Sequence, residues 1–170
     1  MNSKVKTIAY IGLLTAAVII LSRFVPIVNV VTVRISFAFL PIVVAAIVLG
    51  PWQAAVVAAL GDVIGALLVP TGPYFPGFTI TAALVGLELG LFLFKQRSIL
   101  YLVIATAIHQ IVFSLFIDTI WIKIITGSSY AAMLLTRLPE CLLHFVIETV
   151  VIIFFADKIR KLRPILLDNL

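Results

Sequence analysis

Six apolar runs, at roughly 5–21, 35–49, 52–69, 78–94, 99–125 and 138–156, take up most of this chain of 170 residues. A helix needs about 20 predominantly apolar residues, with a range of about 17–25, to cross the hydrocarbon core of a bilayer. The chain is 64% hydrophobic and 11% charged, more apolar than the core of a soluble domain of this length requires. The expectation is an all-α integral membrane protein, with six transmembrane helices in one bundle and a single domain over 1–170. The second run is short, which predicts a tilted or partly buried helix. Gly50-Pro51, Lys95-Gln96-Arg97-Ser98 and Thr126-Gly127-Ser128-Ser129 separate neighbouring runs. The first run lacks a small-residue cleavage site and leads into Arg23-Phe24-Val25-Pro26, so it reads as a helix and not as a signal peptide.

Charge sets the expected orientation. With six spans both termini share one side, which carries Lys4, Lys6, Lys95, Arg97, Lys158, Arg160, Lys161 and Arg163. The other side carries Arg23, Arg34, Lys123 and Arg137. The positive-inside rule then puts both termini in the cytoplasm. The net charge of +5 is accounted for by membrane orientation, and no nucleic-acid partner is expected. Cys141 is the single cysteine, which excludes an internal disulfide and a cysteine metal cluster.

The segment least like the rest is Pro70-Thr71-Gly72-Pro73-Tyr74-Phe75-Pro76-Gly77-Phe78-Thr79. Its prolines and glycines cannot continue a helix. Irregular backbone near membrane depth is tolerated only where protein buries it or where it lines a wet cavity. The segment therefore predicts part of a binding site at one face, the extracellular one in this orientation. Residues 25–33 are rich in β-branched side chains and favour extended backbone. They read either as an extended lid over the bundle mouth or as a continuation of the first or second helix.

Small residues recur at helical spacing. Ala54, Ala58, Gly61 and Gly65 lie on the third run and Ala82, Gly86 and Gly90 on the fourth, where close packing inside the bundle is the expected role. Gly12 and Ala16 on the first run suit either packing or the docking of another protein.

Ionisable groups inside spans are expensive and so are functional candidates. Arg23, Arg34 and Arg137 fall at the outer end, where arginine can fork a carboxylate or snorkel to headgroups. Asp118 and Glu140 lie toward the outer half and can accept hydrogen bonds from amino groups; Glu140 can equally pair with Arg137. Asp62 sits mid-span among small residues, and Glu88 and Glu148 nearer the cytoplasm. His109 and His144 are not at metal-ligand spacing. Tyr74, Phe75, Phe78 and Trp121 can stack a flat ring or anchor the interface. No phosphate-binding glycine loop, His-Glu-x-x-His or Gly-x-Ser-x-Gly is present, so neither ATP hydrolysis nor another enzymatic activity is expected of the chain itself.

The proline-aromatic segment, preceded by Gly61-Asp62-Val63-Ile64-Gly65-Ala66-Leu67-Leu68, resembles the substrate-binding S components of energy-coupling factor (ECF) vitamin transporters. The similarity is greatest to the folate-specific members. Arg34-Ile35-Ser36-Phe37 and Leu49-Gly50-Pro51-Trp52 fit the same pattern. The resemblance implies a multi-pass protein of a bacterial plasma membrane that captures folate or a reduced folate outside. It delivers the vitamin inward with a transmembrane coupling subunit and two cytoplasmic ATPases, without a cofactor or metal of its own. It makes Arg23, Arg34, Phe37, Thr71, Gly72, Tyr74, Phe78, Thr79, His109, Trp121, Arg137 and Glu140 the candidate ligand contacts. Gly12 and Ala16 become the candidate contacts to the coupling subunit. The alternatives are an S component for another vitamin, such as pantothenate, and a small stand-alone secondary transporter. Six spans without an evident inverted repeat are few for the latter.

Overall fold

The computed structural model of the chain describes residues 3–24, 28–30, 33–70, 72–95 and 98–168. Its elements are α1 (Ser3–Arg23), β1 (Val28–Val30), β2 (Val33–Ile35), α2 (Phe39–Val48), α3 (Pro51–Leu68), α4 (Pro76–Leu93), α5 (Ile99–Thr126) and α6 (Tyr130–Asp168). All the helices but α2 are long and apolar enough to cross a membrane.

Local chemistry sets the helix ends. Gly50 has φ 109° and Pro51 opens α3, so the turn out of α2 uses a backbone region that favours glycine, followed by a residue suited to a first helical position. Pro76 likewise opens α4. Ser98 caps α5, its hydroxyl accepting from the Leu100 amide at 3.3 Å. Gly127, with φ 69°, closes α5.

α2 has 10 residues, about 15 Å of helix and half the hydrocarbon thickness. Val43, Ala45, Ala46 and Ile47 in it are wholly buried, packed by the neighbouring helices. With Leu89 and Leu93 of α4 and Ile152 of α6 they form the core. Large apolar side chains such as Leu13, Leu91, Leu135 and Phe154 are exposed on the outside, as expected of a bundle with lipid as its solvent.

α3 and α4 pack the most intimately. The backbone of Ala54 lies over Gly86, and that of Pro51 over Gly90, where a Cβ would stand. Val18 of α1 occupies the same position over Gly61. The small-residue pattern of α3 and α4 is thus internal packing, as expected. Gly12, by contrast, has nothing within 4 Å of its missing side chain, and Ala16 is exposed.

A short extended stretch lies between the first and second apolar runs. Val28–Val30 and Val33–Ile35 pair as an antiparallel hairpin, Asn29 opposite Arg34, and β2 touches α6. The extended backbone read for 25–33 is present at 28–30 and at 33; residues 25–27 and 31–32 lie outside the described residues. The last helix begins at Tyr130 and not near 138, because Pro139 is carried inside it. A proline interior to a membrane helix is tolerated where neighbouring groups satisfy the freed carbonyl.

Gly90→Val should lower the thermal unfolding midpoint of the detergent-purified chain, since overpacking a close contact costs roughly 1–3 kcal/mol. Gly12→Val, at a position with open space, should leave that midpoint unchanged. Equal midpoints for both variants would contradict the α3–α4 contact.

Candidate functional site

At the end of the bundle that carries the hairpin and residues 72–75, the helices part around a cavity of about 580 Å³. That volume suits a small-molecule site, typically about 300–1,000 Å³. Arg23, Gly72, Pro73 and Tyr74 line its mouth, Phe39, Phe75, Phe78 and Ile122 its apolar walls, and His109, Gln110 and Glu148 its deep end.

The proline-aromatic segment is tied down by a directed chain of hydroxyls. Thr79 donates to the Asp62 carboxylate at 2.6 Å. Its only proton is used there, so the Tyr74 hydroxyl, 3.1 Å away, donates to Thr79. Asp62, which also lines the cavity, therefore anchors the loop to α3. Behind the wall, the Phe75 ring lies 5.6 Å from Trp121 and 6.4 Å from Phe78. Gly77 leaves room for the Phe75 and Trp121 rings, which crowd the place of a Cβ. The Trp121 indole N–H donates to Thr81 at 2.9 Å.

Glu148 governs the deep end. It is 2% exposed and accepts from His109 Nδ1 at 2.9 Å and from Gln110 Nε2 at 2.6 Å. Below it, the Thr106 and Thr149 hydroxyls are paired at 2.8 Å. Gln110 Oε1, Asp118 Oδ1 and His144 Nε2 are buried without a hydrogen-bond partner among the described residues, and all three residues line the cavity. An orphaned polar atom in a dry site costs about 1–3 kcal/mol, so these atoms mark where a ligand's polar groups belong. Both oxygens of Glu88 are also unpartnered, but Glu88 is off the cavity wall. No group of three metal-ligating side chains occurs among the described residues.

The centre of α5, His109–Ile117, is π-helical. Asp118 N–H reaches back to the Phe113 carbonyl, five residues away instead of four. An α-helical stripe at four-residue spacing would drift about 40° per step. The wider π turn reverses that drift. Gln110, Ser114, Asp118, Ile122 and Thr126 consequently all face the cavity, while Ile111, Val112, Phe116 and Ile120 face outward.

Of the expected ligand contacts, Arg23, Gly72, Tyr74, Phe78 and His109 line the cavity. Four others stand just outside it. Thr79 is the link in the loop anchor. Trp121 backs Phe75. Phe37 packs on Phe39 with ring centroids 6.1 Å apart. Glu140 is half-buried on α6 beside Cys141. Arg137 is off the cavity wall and donates to Thr119 at 3.0 Å; the early start of α6 puts it inside the helix and not at its outer tip. Thr71 and the side chain of Arg34 lie outside the described residues. Asp118, read from the sequence as an acceptor for amino groups, also lines the cavity, as do Asp62 and Glu148, which were read as packing or coupling groups; Gln110 and Ser114 were not among the candidates.

Residues 2–161 match the family described as the ECF-type riboflavin transporter, S component. The chain belongs to this S-component family. A folate transporter FolT of Clostridium novyi (strain NT) is 32% identical over 150 residues, covering 88% of this chain and 87% of the relative. A second folate transporter FolT, from Leuconostoc mesenteroides, is 28% identical over 155 residues, covering 87% and 83%. A crystal structure of FolT bound with folic acid superposes with a TM-score of 0.83 at 31% identity, covering 90% of this chain and 93% of that one. The S-component family is one of transporter subunits, and the apolar helices make this member a multi-pass membrane protein.

In this S component Glu148→Ala leaves His109 Nδ1 and Gln110 Nε2 without an acceptor. Its unfolding free energy in detergent should fall by roughly 1–3 kcal/mol for each orphaned donor. Glu148→Gln, which keeps a carbonyl acceptor, should lose about half as much. An unchanged Glu148→Ala would mean that the deep network contributes nothing to the fold.

Proposed function

We propose that the chain is a folate-capturing S component of an ECF-type importer. The order of chemistry along the cavity carries this reading. A guanidinium stands at the mouth, aromatic rings line the walls, and hydrogen-bond acceptors wait at depth. Folate presents the complementary order, with glutamate carboxylates, a flat spacer and pterin, and an aminopyrimidine edge rich in N–H donors. Arginine forks carboxylates, and flat rings suit aromatic walls. The aminopyrimidine edge then enters first, toward the unpartnered acceptors on Gln110 and Asp118, and the glutamate stays by Arg23. The folate transporters similar to this chain along nearly their whole length support the same ligand.

The remaining parts of the reading follow the family. The charge bias puts both termini in the cytoplasm of a bacterial plasma membrane and opens the cavity to the outside. A transmembrane coupling subunit and two ATPases supply the energy. The coupling subunit docks on the α1 face bearing Gly12 and Ala16, where no side chain keeps another helix at a distance. Riboflavin is the second ligand to test, because the family description names it.

Tryptophan fluorescence of the detergent-purified chain tests the ligand. Folate should quench saturably, one to one, with riboflavin, thiamin and pantothenate as controls. Trp121 lies behind the cavity wall, whereas Trp52 is 72% exposed at the start of α3. Trp52→Phe should therefore keep the response and Trp121→Phe abolish it. Quenching by riboflavin alone would replace folate as the ligand.

Arg23→Ala should weaken folate by roughly 10- to 100-fold, the value of a lost charge-assisted hydrogen bond of about 1.5–3 kcal/mol. Binding of pteroate, which lacks the glutamate, should barely change. Equal losses for the two ligands would refute the mouth assignment.

A further inference from the structure

Arg137 is off the cavity wall, and its contacts lead to a single cavity-lining group. Its Nη1 donates to Thr119 at 3.0 Å. Thr119 is wholly buried and in turn donates to the Leu115 carbonyl. Both residues sit where the π-helical centre of α5 returns to α-helix, and Asp118 is the first residue beyond that junction. Asp118 is held from the opposite side as well. Its carboxylate lies beside Thr81 and within the electrostatic reach of Arg137. Thr81 receives the Trp121 indole N–H and donates its own proton to the Gly77 carbonyl at 3.1 Å. Between these two supports, Asp118 Oδ1 remains buried, without a hydrogen-bond partner among the described residues, on a residue that lines the cavity.

We propose that Asp118 is the acceptor that selects a heterocycle carrying an amino group, and that Arg137 is its positioning residue. Arg137 pins the π-to-α junction of α5 through Thr119, which keeps Oδ1 aimed into the cavity. It does not bind the ligand's carboxylates. This rests on the folate reading of the site and adds which protein atom meets the amino-bearing edge. A bare carboxylate oxygen accepts an amino N–H and gains nothing from a ring C–H at the same place, so discrimination arises here and not at the mouth.

The test compares folate with 2-desamino folate, in which the 2-amino group is replaced by hydrogen. The wild-type chain should prefer folate by about tenfold or more, the equivalent of one hydrogen bond. Asp118→Asn should bring that ratio near one. Arg137→Ala and Thr119→Val should also shrink the ratio, and Arg137→Lys should restore part of it. A purely structural Arg137 would weaken both ligands equally and leave the ratio at its wild-type value, which would overturn the proposal. A second arm needs no ligand and is run in the Trp52→Phe background. There the emission of Trp121 reports the Trp121–Thr81–Asp118 contacts, and Asp118→Asn, Arg137→Ala and Thr119→Val should shift it in the same direction. Unchanged emission in the last two would overturn the positioning role even if folate proves to be the wrong vitamin. Thr119→Val cuts the same link without removing a charge, so the proposal stands or falls on it if Arg137→Ala does not fold. A wild-type chain that ignores folate while its emission responds as expected would remove the folate reading and leave the positioning role standing.

Discussion

The contact between α3 and α4 is the constraint on which the site depends. Glycine at 86 and 90 lets the α4 backbone meet that of α3 at Ala54 and Pro51. In lipid this approach is driven by packing and not by expulsion of water, so only small residues permit it. Toward the other end of the same pair, the facing positions are Asp62 and Ala66 on α3 and Phe78, Thr81 and Ala82 on α4, and these line the cavity. The two helices are closed where their residues are smallest and open where they carry polar and aromatic side chains. The cavity is the open side of that wedge, with α5 and α6 completing the wall.

A polar group inside such a bundle is stable only if something satisfies it. The structure divides its buried polar groups accordingly. Asp62 is engaged by Thr79, and Glu148 by His109 and Gln110. These are paired inside the protein and hold a loop to a helix or one helix to another. Gln110 Oε1, Asp118 Oδ1 and His144 Nε2 are left over on residues that face the cavity, while Glu88 and Thr15, off the cavity wall, fall outside this division. Gln110 belongs to both groups, because its amide donates to Glu148 while its carbonyl is unengaged. The same buried network that fixes the deep end thereby orients the atoms offered to a solute.

Most of the bundle was legible in the sequence because the signals are local and additive. Apolar runs, Gly50-Pro51 and Gly127 marked the helices and their ends, and the small residues of α3 and α4 marked their contact. The last helix starts before its apolar run, at Tyr130, and carries Pro139 inside it, where neighbouring groups can satisfy the freed carbonyl. The mouth was legible from Pro70–Thr79 because turn chemistry is concentrated there. The deep wall was not. The stripe Gln110, Ser114, Asp118, Ile122 and Thr126 stands four apart, and a continuous α-helix would splay it by about 160°. The π-helical centre of α5 keeps it on one side, and no local pattern marks that segment. The Arg137–Thr119 hydrogen bond carried no sequence signal, because the two residues are on different helices.

α1 joins the outside of the bundle to the mouth of the cavity. One side of it packs inward, with Val18 seated over Gly61 and Thr15 buried. The other side exposes Gly12 and Ala16 among apolar residues such as Ile8 and Leu13. Its last residue, Arg23, runs over Gly65 and donates to the Val69 carbonyl at 3.5 Å, at the entrance of the proline-aromatic segment. Gly61 and Gly65 are therefore required for two different contacts on the same pair of helices, one apolar and one cationic. A shift of α1 across α3 disturbs both at once, and its effect at the mouth is to move the guanidinium that stands over the loop. The mouth of the cavity and the exposed face bearing Gly12 and Ala16 are thus carried by one helix, while at the deep end Glu148 holds α5 and α6 together.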